Sequence, residues 1–393
     1  MTGFDNLAWF ALVVLLANLA GELFSRVLRL PRLLGWIAAG VVLGPAVAGV
    51  LDEARLPQLR GIVEIAVALV LFELGQRVDL GWLRRNPWLL ATSVLESALT
   101  FAAIYGVLWL LDAPPLVAAT AAAIGMATAP AVVLTLSNDL RAHGQVTERA
   151  LLLTALNCAY AFVVAGVLLN RMLHQHSAEW QDMIWRPLYT IFGSLGFAGA
   201  ATLATLGLLR LLGRSSDAQL ICVIAVVVLS VSLAHEFGLY VVLVVLAYGV
   251  MCRAFDSRRL FVSLRFGRIG DIAIMSLFAL TAASLDFALL PAGALAGAAL
   301  VAARYAGKWV AVMLFARMSG LALRKASLLS LALMPMSAVV LLLVRDAAEL
   351  VPQLGQQLAT VIVSAVVMLE LLGPLVAHFA LVRSGEAAES GKA

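Results

Sequence analysis

Apolar stretches of membrane-crossing length follow one another along the whole chain, separated by short turns that carry most of the charge. A helix needs about 20 predominantly apolar residues to cross a bilayer. The pattern therefore predicts thirteen spans, at 7–28, 33–50, 60–81, 88–111, 115–137, 149–172, 187–210, 217–235, 238–255, 270–288, 290–316, 324–345 and 354–382. The prediction is an all-α polytopic membrane protein, one transmembrane domain over 1–393, with no soluble domain left over. The first stretch lacks a basic segment ahead of it and a small-residue cleavage site, so it reads as a retained span.

Composition agrees: 63% of residues are hydrophobic, 13% are charged and mean hydropathy is +1.00, outside the range of soluble domains. The basic residues also orient the chain, because Lys and Arg gather on the cytoplasmic side. With the N-terminus outside, nineteen of the 27 fall in segments that would be cytoplasmic, from Arg26 to Lys392, and five (Arg55, Arg60, Arg171, Arg186, Arg345) fall opposite. That places the C-terminus in the cytoplasm and the protein in a plasma membrane, a bacterial inner membrane by preference. Cys158, Cys222 and Cys252 lie in or at the ends of apolar spans without CxxC or His spacing, so they indicate neither a disulfide framework nor a metal site. No phosphate-cradling loop and no Ser/His/Asp set is present. Enzymatic activity, a cofactor and a nucleic-acid partner are not expected.

Two spans are interrupted by proline at matching places. Span five reads AAIGMATAPAVVLTL, with Thr128 and Pro130; span twelve reads LSLALMPMSAVVLLL, with Pro335 and Ser337. Proline in mid-span frees backbone groups that only protein or a water-lined cavity can satisfy, and paired interruptions in two halves point to a binding site between inverted repeats. Seven spans separate the two, an odd number, which gives the copies opposite orientation. Span three (LFELGQRVDL, 71–80) and span ten (LFALTAASLDF, 277–287) share Leu-Phe-x-Leu followed by Asp, and span two (GWIAAGVV, 35–42) and span nine (LVVLAYGVM, 243–251) share small residues suited to close helix approach. The expected organisation is repeat one over about 7–172, a linker helix over about 187–210 and repeat two over about 217–382.

These segments resemble the monovalent cation:proton antiporters, in the branch called cation:proton antiporter family two, whose members exchange sodium or potassium for protons. The resemblance covers nearly the whole chain. It rests on LLGWIAAGVVLGP (33–45), on Phe72, Gly75 and Asp79 in F-x-x-G-x-x-x-D spacing, and on ATAPAVV (127–133). It continues in HEFGLYVVLVVLAYGV (235–250), RYAGK (304–308) and MLELLGPLVAHFAL (368–381). It implies crossing broken helices in a core domain, a second domain that forms a homodimer, and alternating access. The departures are specific. Where the family carries Asp-Asp or Asn-Asp in span six, this chain has Asn157 and Cys158; after the span-twelve proline a polar group gives way to Met336, Ser337 and Ala338; and the C-terminal regulatory domain is not expected.

An ionisable side chain at mid-membrane costs about 2.5–3.5 kcal/mol on insertion scales, so each needs an account. The resemblance places at Lys308 a lysine that pairs with the first aspartate of the ion site, here Asn157, which cannot neutralise it. Lys308 thus stands as a proton carrier, as an attractor of anions, or as a donor to carbonyls of the broken helices. Arg304, one turn earlier, is expected to find its own acid. Glu73 and Arg77 are spaced as an intrahelical pair, with Glu73 also a candidate for the carboxylate that Cys158 no longer supplies. Glu96 and Glu370 read as proton-relay groups or as helix anchors. A buried thiol behaves as a small hydrophobe, so Cys158 cannot act as an aspartate, while Asn157, Thr128 and Ser337 offer neutral oxygens to a cation.

The leading expectation is a monovalent cation (Na+ or K+):proton antiporter with its ion site at Asn157, Cys158, Lys308, Thr128 and Ser337, possible relay groups Glu73 and Glu96, and structural charges Arg77, Arg304 and Glu370. Two alternatives stand beside it: a transporter of another, anionic solute on the same scaffold, and a transport-inactive membrane assembly subunit.

Overall fold

The computed structural model describes residues 6–52, 55–173, 180–212, 216–256, 266–336, 340–341, 344 and 352–388, and among them every regular element is helical. The first half contains α1 (Asn6–Leu23), α2 (Arg32–Leu43), α3 (Arg60–Arg77), the short α4 (Leu80–Arg85), α5 (Pro87–Leu110), α6 (Pro115–Met126), α7 (Pro130–Asp139) and α8 (Gln145–Leu173). After α9 (Trp180–Leu212) come α10 (Ser216–Glu236), α11 (Val241–Phe255), α12 (Gly267–Ala283), α13 (Leu290–Phe315), α14 (Leu323–Ala332) and α15 (Pro352–Arg383). Proline stands in the first turn of α5, α6 and α7, where its missing N–H breaks no helical bond. Among the described residues eight helical segments are long and apolar enough to cross a bilayer, and large apolar side chains such as Leu110, Leu203, Leu211 and Leu295 point outward. The protein is an integral membrane protein.

The second span ends earlier than the hydrophobic run predicts. Its helix stops at Leu43, and Gly44 turns to extended backbone, because the residue before Pro45 is pushed out of the helical region by the proline ring.

The helices sort into two bundles. One comprises α1, α2, α3, α9, α10, α11 and α12; the other comprises α5 to α8 with α13, α14 and α15. Most packing pairs occur twice under exchange of each span with the span seven later. Thus α3 on α11 is matched by α12 on α2, α10 on α3 by α1 on α12, α5 on α6 by α13 on α14, and α8 on α6 by α15 on α14. The glycines of the two similar sequence segments make the same close approach: a Cβ on Gly40 would run into the Ala279 carbonyl oxygen, and one on Gly249 into that of Phe72. The aspartates of the other pair cap in the same way, Asp79 accepting from Trp82 N at 3.0 Å and Asp286 from Ala288 N at 2.9 Å.

The second bundle is clasped at one end by the segment after α15. The Glu386 carboxylate accepts from Val146 N at 3.0 Å, Thr147 N at 2.9 Å and Thr147 Oγ1 at 3.1 Å, and pairs with Lys325 Nζ at 2.9 Å. It thereby fills the unsatisfied amides of the first turn of α8. Gly144, the residue before α8, leaves the room: any side chain there would strike the carboxylate.

Candidate functional site

The two interrupted spans meet at their breaks. Between α6 and α7 the residues Ala127–Ala129 leave the helix, and after α14 the residues Leu333–Met336 do the same. Ala129 N donates to Pro335 O at 2.9 Å, and Thr128 Oγ1 donates to Leu333 O at 3.3 Å. Each break exposes carbonyls at a helix C-terminus, where the helix dipole favours positive charge. Two cations from one face of α13 answer them.

Arg304 is fully buried, and its guanidinium donates to Gly125 O, to Leu333 O and Pro335 O at 3.2 Å each, and to Met334 O at 3.4 Å. The expectation that Arg304 bonds an acid of its own is corrected: it bonds the freed backbone. Five donors in a fixed fork suit several carbonyls at once, which a point charge would not span. One turn on, Lys308 Nζ donates to Met126 O and Thr128 Oγ1, both at 3.3 Å, and forms an ion pair with Glu96 of α5. Both partners are 0% exposed. The pairing of Lys308 with Asn157 that the resemblance implies is therefore also corrected. A buried ammonium needs a counter-charge, and the nearest one comes from α5, not α8.

Asn157 sits beside the pair. Its Oδ1 accepts from Ser97 Oγ at 3.1 Å and its Nδ2 reaches Thr128 Oγ1 at 3.4 Å, while Cys158 Sγ donates to Thr128 O at 3.2 Å. Asn157, Cys158, Thr128, Lys308 and Glu96 thus converge on the crossing. Ser337 lies outside the described residues. Glu73 pairs with Arg77 at 3.7 Å, and Asn138 at the end of α7 bonds both, accepting from Arg77 at 3.1 Å and donating to Glu73 at 3.5 Å. Glu370 is buried in α15 with its Oε1 lacking a hydrogen-bond partner, so the expected hydroxyl or amide anchor does not reach that oxygen.

Comparison with known proteins gives the arrangement its context. The family model "Sodium/hydrogen exchanger, transmembrane" matches residues 11–383. The chain belongs to that family. A curated relative, the probable Na+/H+ antiporter GerT of Bacillus cereus, is 39% identical over 82 residues, which is 20% of this chain and 21% of GerT. Two structures of the sodium proton antiporter MjNhaP1 from Methanocaldococcus jannaschii, one at pH 8 and one an electron-microscopy map, share the fold with a TM-score of 0.72. Each covers 98% of this chain and 99% of its own, at 16% and 15% identity. The family and the proteins that share its fold are sodium/proton transporters.

In this exchanger the bundles face each other across a cavity lined by Val67, Val70, Leu71, Pro130, Phe162 and Cys158 among others, with about 20 Å³ open to water centres. That is room for about one water molecule. Among the described residues Cys158 is the polar side chain that lines it, and a thiol is too weak an acceptor to hold a dehydrated cation there. The sequence reading passed over Ser97 and Thr100, and weighed Glu96 without its neighbours. The signal was present: Ser93, Glu96, Ser97 and Thr100 recur at i, i+3, i+4 and i+7, one face of a helix, and all four are buried.

Proposed function

We propose that this antiporter exchanges a monovalent cation for a proton by alternating access, with the Glu96–Lys308 pair doing the work that an aspartate in span six does in the family it resembles. The single observation that carries this is the ion pair, fully buried against the unwound segments, with Glu96 Oε2 left without a hydrogen-bond partner. The entering cation takes the Glu96 carboxylate, and Lys308 releases its proton so that the buried charge stays constant. Proton return to Lys308 restores the pair and expels the cation. One cation exchanges for one proton, and Asn157 and Thr128 supply neutral oxygens. In the same reading the protein is a homodimer in a plasma membrane with its N-terminus outside, and two six-span repeats flank the α9 linker. The duplicated packing pairs support the repeats, and the Lys/Arg asymmetry supports the orientation.

The anion reading loses its motive, since Lys308 already has a carboxylate. The test uses purified protein in liposomes with an internal pH dye and imposed sodium, potassium or chloride gradients, comparing wild type with Glu96→Gln and Lys308→Ala. Proton flux that follows a cation gradient and disappears in both variants supports the reading. Wild-type flux in Glu96→Gln would refute the role given to the pair, and silence of the wild type under every gradient would favour the assembly subunit.

A further inference from the structure

Hydroxyls inside membrane helices commonly donate to the carbonyl four residues back, and this chain follows the habit closely. Thr92, Thr202, Thr205, Ser276, Thr281 and Ser330 all do so, at 2.6–3.1 Å. Thr100 does not. It is 0% exposed, and its Oγ1 has no hydrogen-bond partner although the Glu96 carbonyl is the ordinary acceptor. A buried hydroxyl left unpaired is destabilising, so its position calls for a reason. Thr100 stands one turn after Glu96 on the same face of α5, where residues four apart are neighbours. Its backbone is pressed onto α13 beside Lys308: a Cβ on Gly307 would lie 2.7 Å from Thr100 Cα. Two buried oxygens without partners, Glu96 Oε2 and Thr100 Oγ1, thus stand one helical turn apart next to the ion pair.

We propose that Thr100 is a ligand of the transported cation, binding a partly dehydrated alkali-metal ion together with Glu96 Oε2. The inference rests on the exchange reading above and adds a residue that sets cation affinity. A carboxylate alone holds a monovalent ion loosely when water competes; a second oxygen fixed by the helix replaces one hydration water at no cost in side-chain ordering, because Thr100 is already buried.

The test is cation-dependent thermal stabilisation of the purified full-length protein, titrated with sodium, lithium or potassium chloride against choline chloride. Wild type is compared with Thr100→Val, which keeps the shape and removes the oxygen, and Thr100→Ser, which keeps the oxygen. The expected result is an alkali-ion Kd weakened roughly tenfold in Thr100→Val, equivalent to about 1.4 kcal/mol, and within about twofold of wild type in Thr100→Ser. Wild-type affinity in Thr100→Val, or equal weakening in both variants, would overturn the assignment while leaving the exchange reading intact. A wild type that no alkali ion stabilises would overturn both. Because Thr100→Val retains the packing against Gly307, its own melting temperature without salt separates misfolding from lost binding.

Discussion

Removing one charge of the Glu96–Lys308 pair should cost far more than removing both. The side chains are 0% exposed, so solvent does not screen the loss. Glu96→Gln leaves the Lys308 ammonium buried with Met126 O and Thr128 Oγ1 as its acceptors among the described residues, and Lys308→Met leaves the carboxylate without a hydrogen-bond partner on its second oxygen. Orphaning one member of a buried pair typically costs about 3–5 kcal/mol, whereas replacing the pair by well-packed neutral side chains is near neutral. For a chain of this size that is a fall of about 4–6 °C in Tm for each single variant. The double variant Glu96→Gln/Lys308→Met should recover most of it. The assay is heat-induced unfolding in detergent followed by tryptophan fluorescence, as a double-mutant cycle, with a coupling of at least about 2 kcal/mol expected. A double variant no more stable than the worse single one, or a Glu96→Gln protein as stable as wild type, would refute the reasoning. The transport assay separates stability from function, since the double variant folds but carries no exchangeable charge.

Two further outcomes follow from the same geometry. Glu386→Ala removes the clasp on α8 and should lower stability by about 1–2 kcal/mol, the scale of a lost helix cap. Burial alone would push the Glu386 carboxyl up, but the amides of Val146 and Thr147 and the Lys325 ammonium together hold it below its ordinary 4.5; the clasp therefore contributes fully above about that pH and fades as pH falls through the lowered value. Unfolding midpoints measured against pH should show wild type losing its advantage over Glu386→Ala on acidification below that point, and an unchanging gap would sink the account. Asn138→Leu cuts the bonds from α7 to Glu73 and Arg77 across the bundle boundary. If the bundles move against each other, a membrane-impermeant thiol reagent should label Cys158 roughly tenfold faster, for a lost contact worth about 1.4 kcal/mol, from the face carrying the C-terminus in a Cys222→Ser/Cys252→Ser background; equal acceleration from both faces would mean general loosening instead.

The architecture was legible because membrane spans are written in a single dimension, as runs of apolar residues with charged ends. The paired breaks at Pro130 and Pro335 were legible for the same reason: proline in mid-span has few explanations. The partners of Lys308 and Arg304 were not. Which carboxylate meets a buried lysine depends on how α5 and α13 approach, and that approach is set by Gly307 lying against the Thr100 backbone, a contact that no local pattern announces. Arg304 shows the same limit from the other side. Its spacing from Lys308 suggested a second cation in need of an acid of its own, yet the unwound segments supply enough carbonyl oxygens to satisfy it without any acid.

The change from an acid to Cys158 is best understood as a displacement of charge across the crossing. Lys308 remains on α13, and the neutral groups Thr128 and Asn157 remain on the breaks and on α8, but the carboxylate that balances the lysine projects from α5. A thiol at Cys158 then faces an apolar cavity with room for about one water, and on the exchange reading proposed above the ion's last step passes from that cavity toward Glu96 instead of ending at α8. Such a site keeps one titratable carboxylate and one titratable amine, the minimum for trading a cation against a proton, and it makes a definite demand on Cys158→Asp. An added acid there would sit beside Thr128, which already accepts from Lys308, and would compete with Glu96 for the ammonium. Exchange should then continue when Glu96→Gln is combined with Cys158→Asp, although it fails in Glu96→Gln alone. Flux assays on the three variants decide it: a silent Glu96→Gln/Cys158→Asp protein that still folds would mean that the carboxylate on α5 does more than balance Lys308.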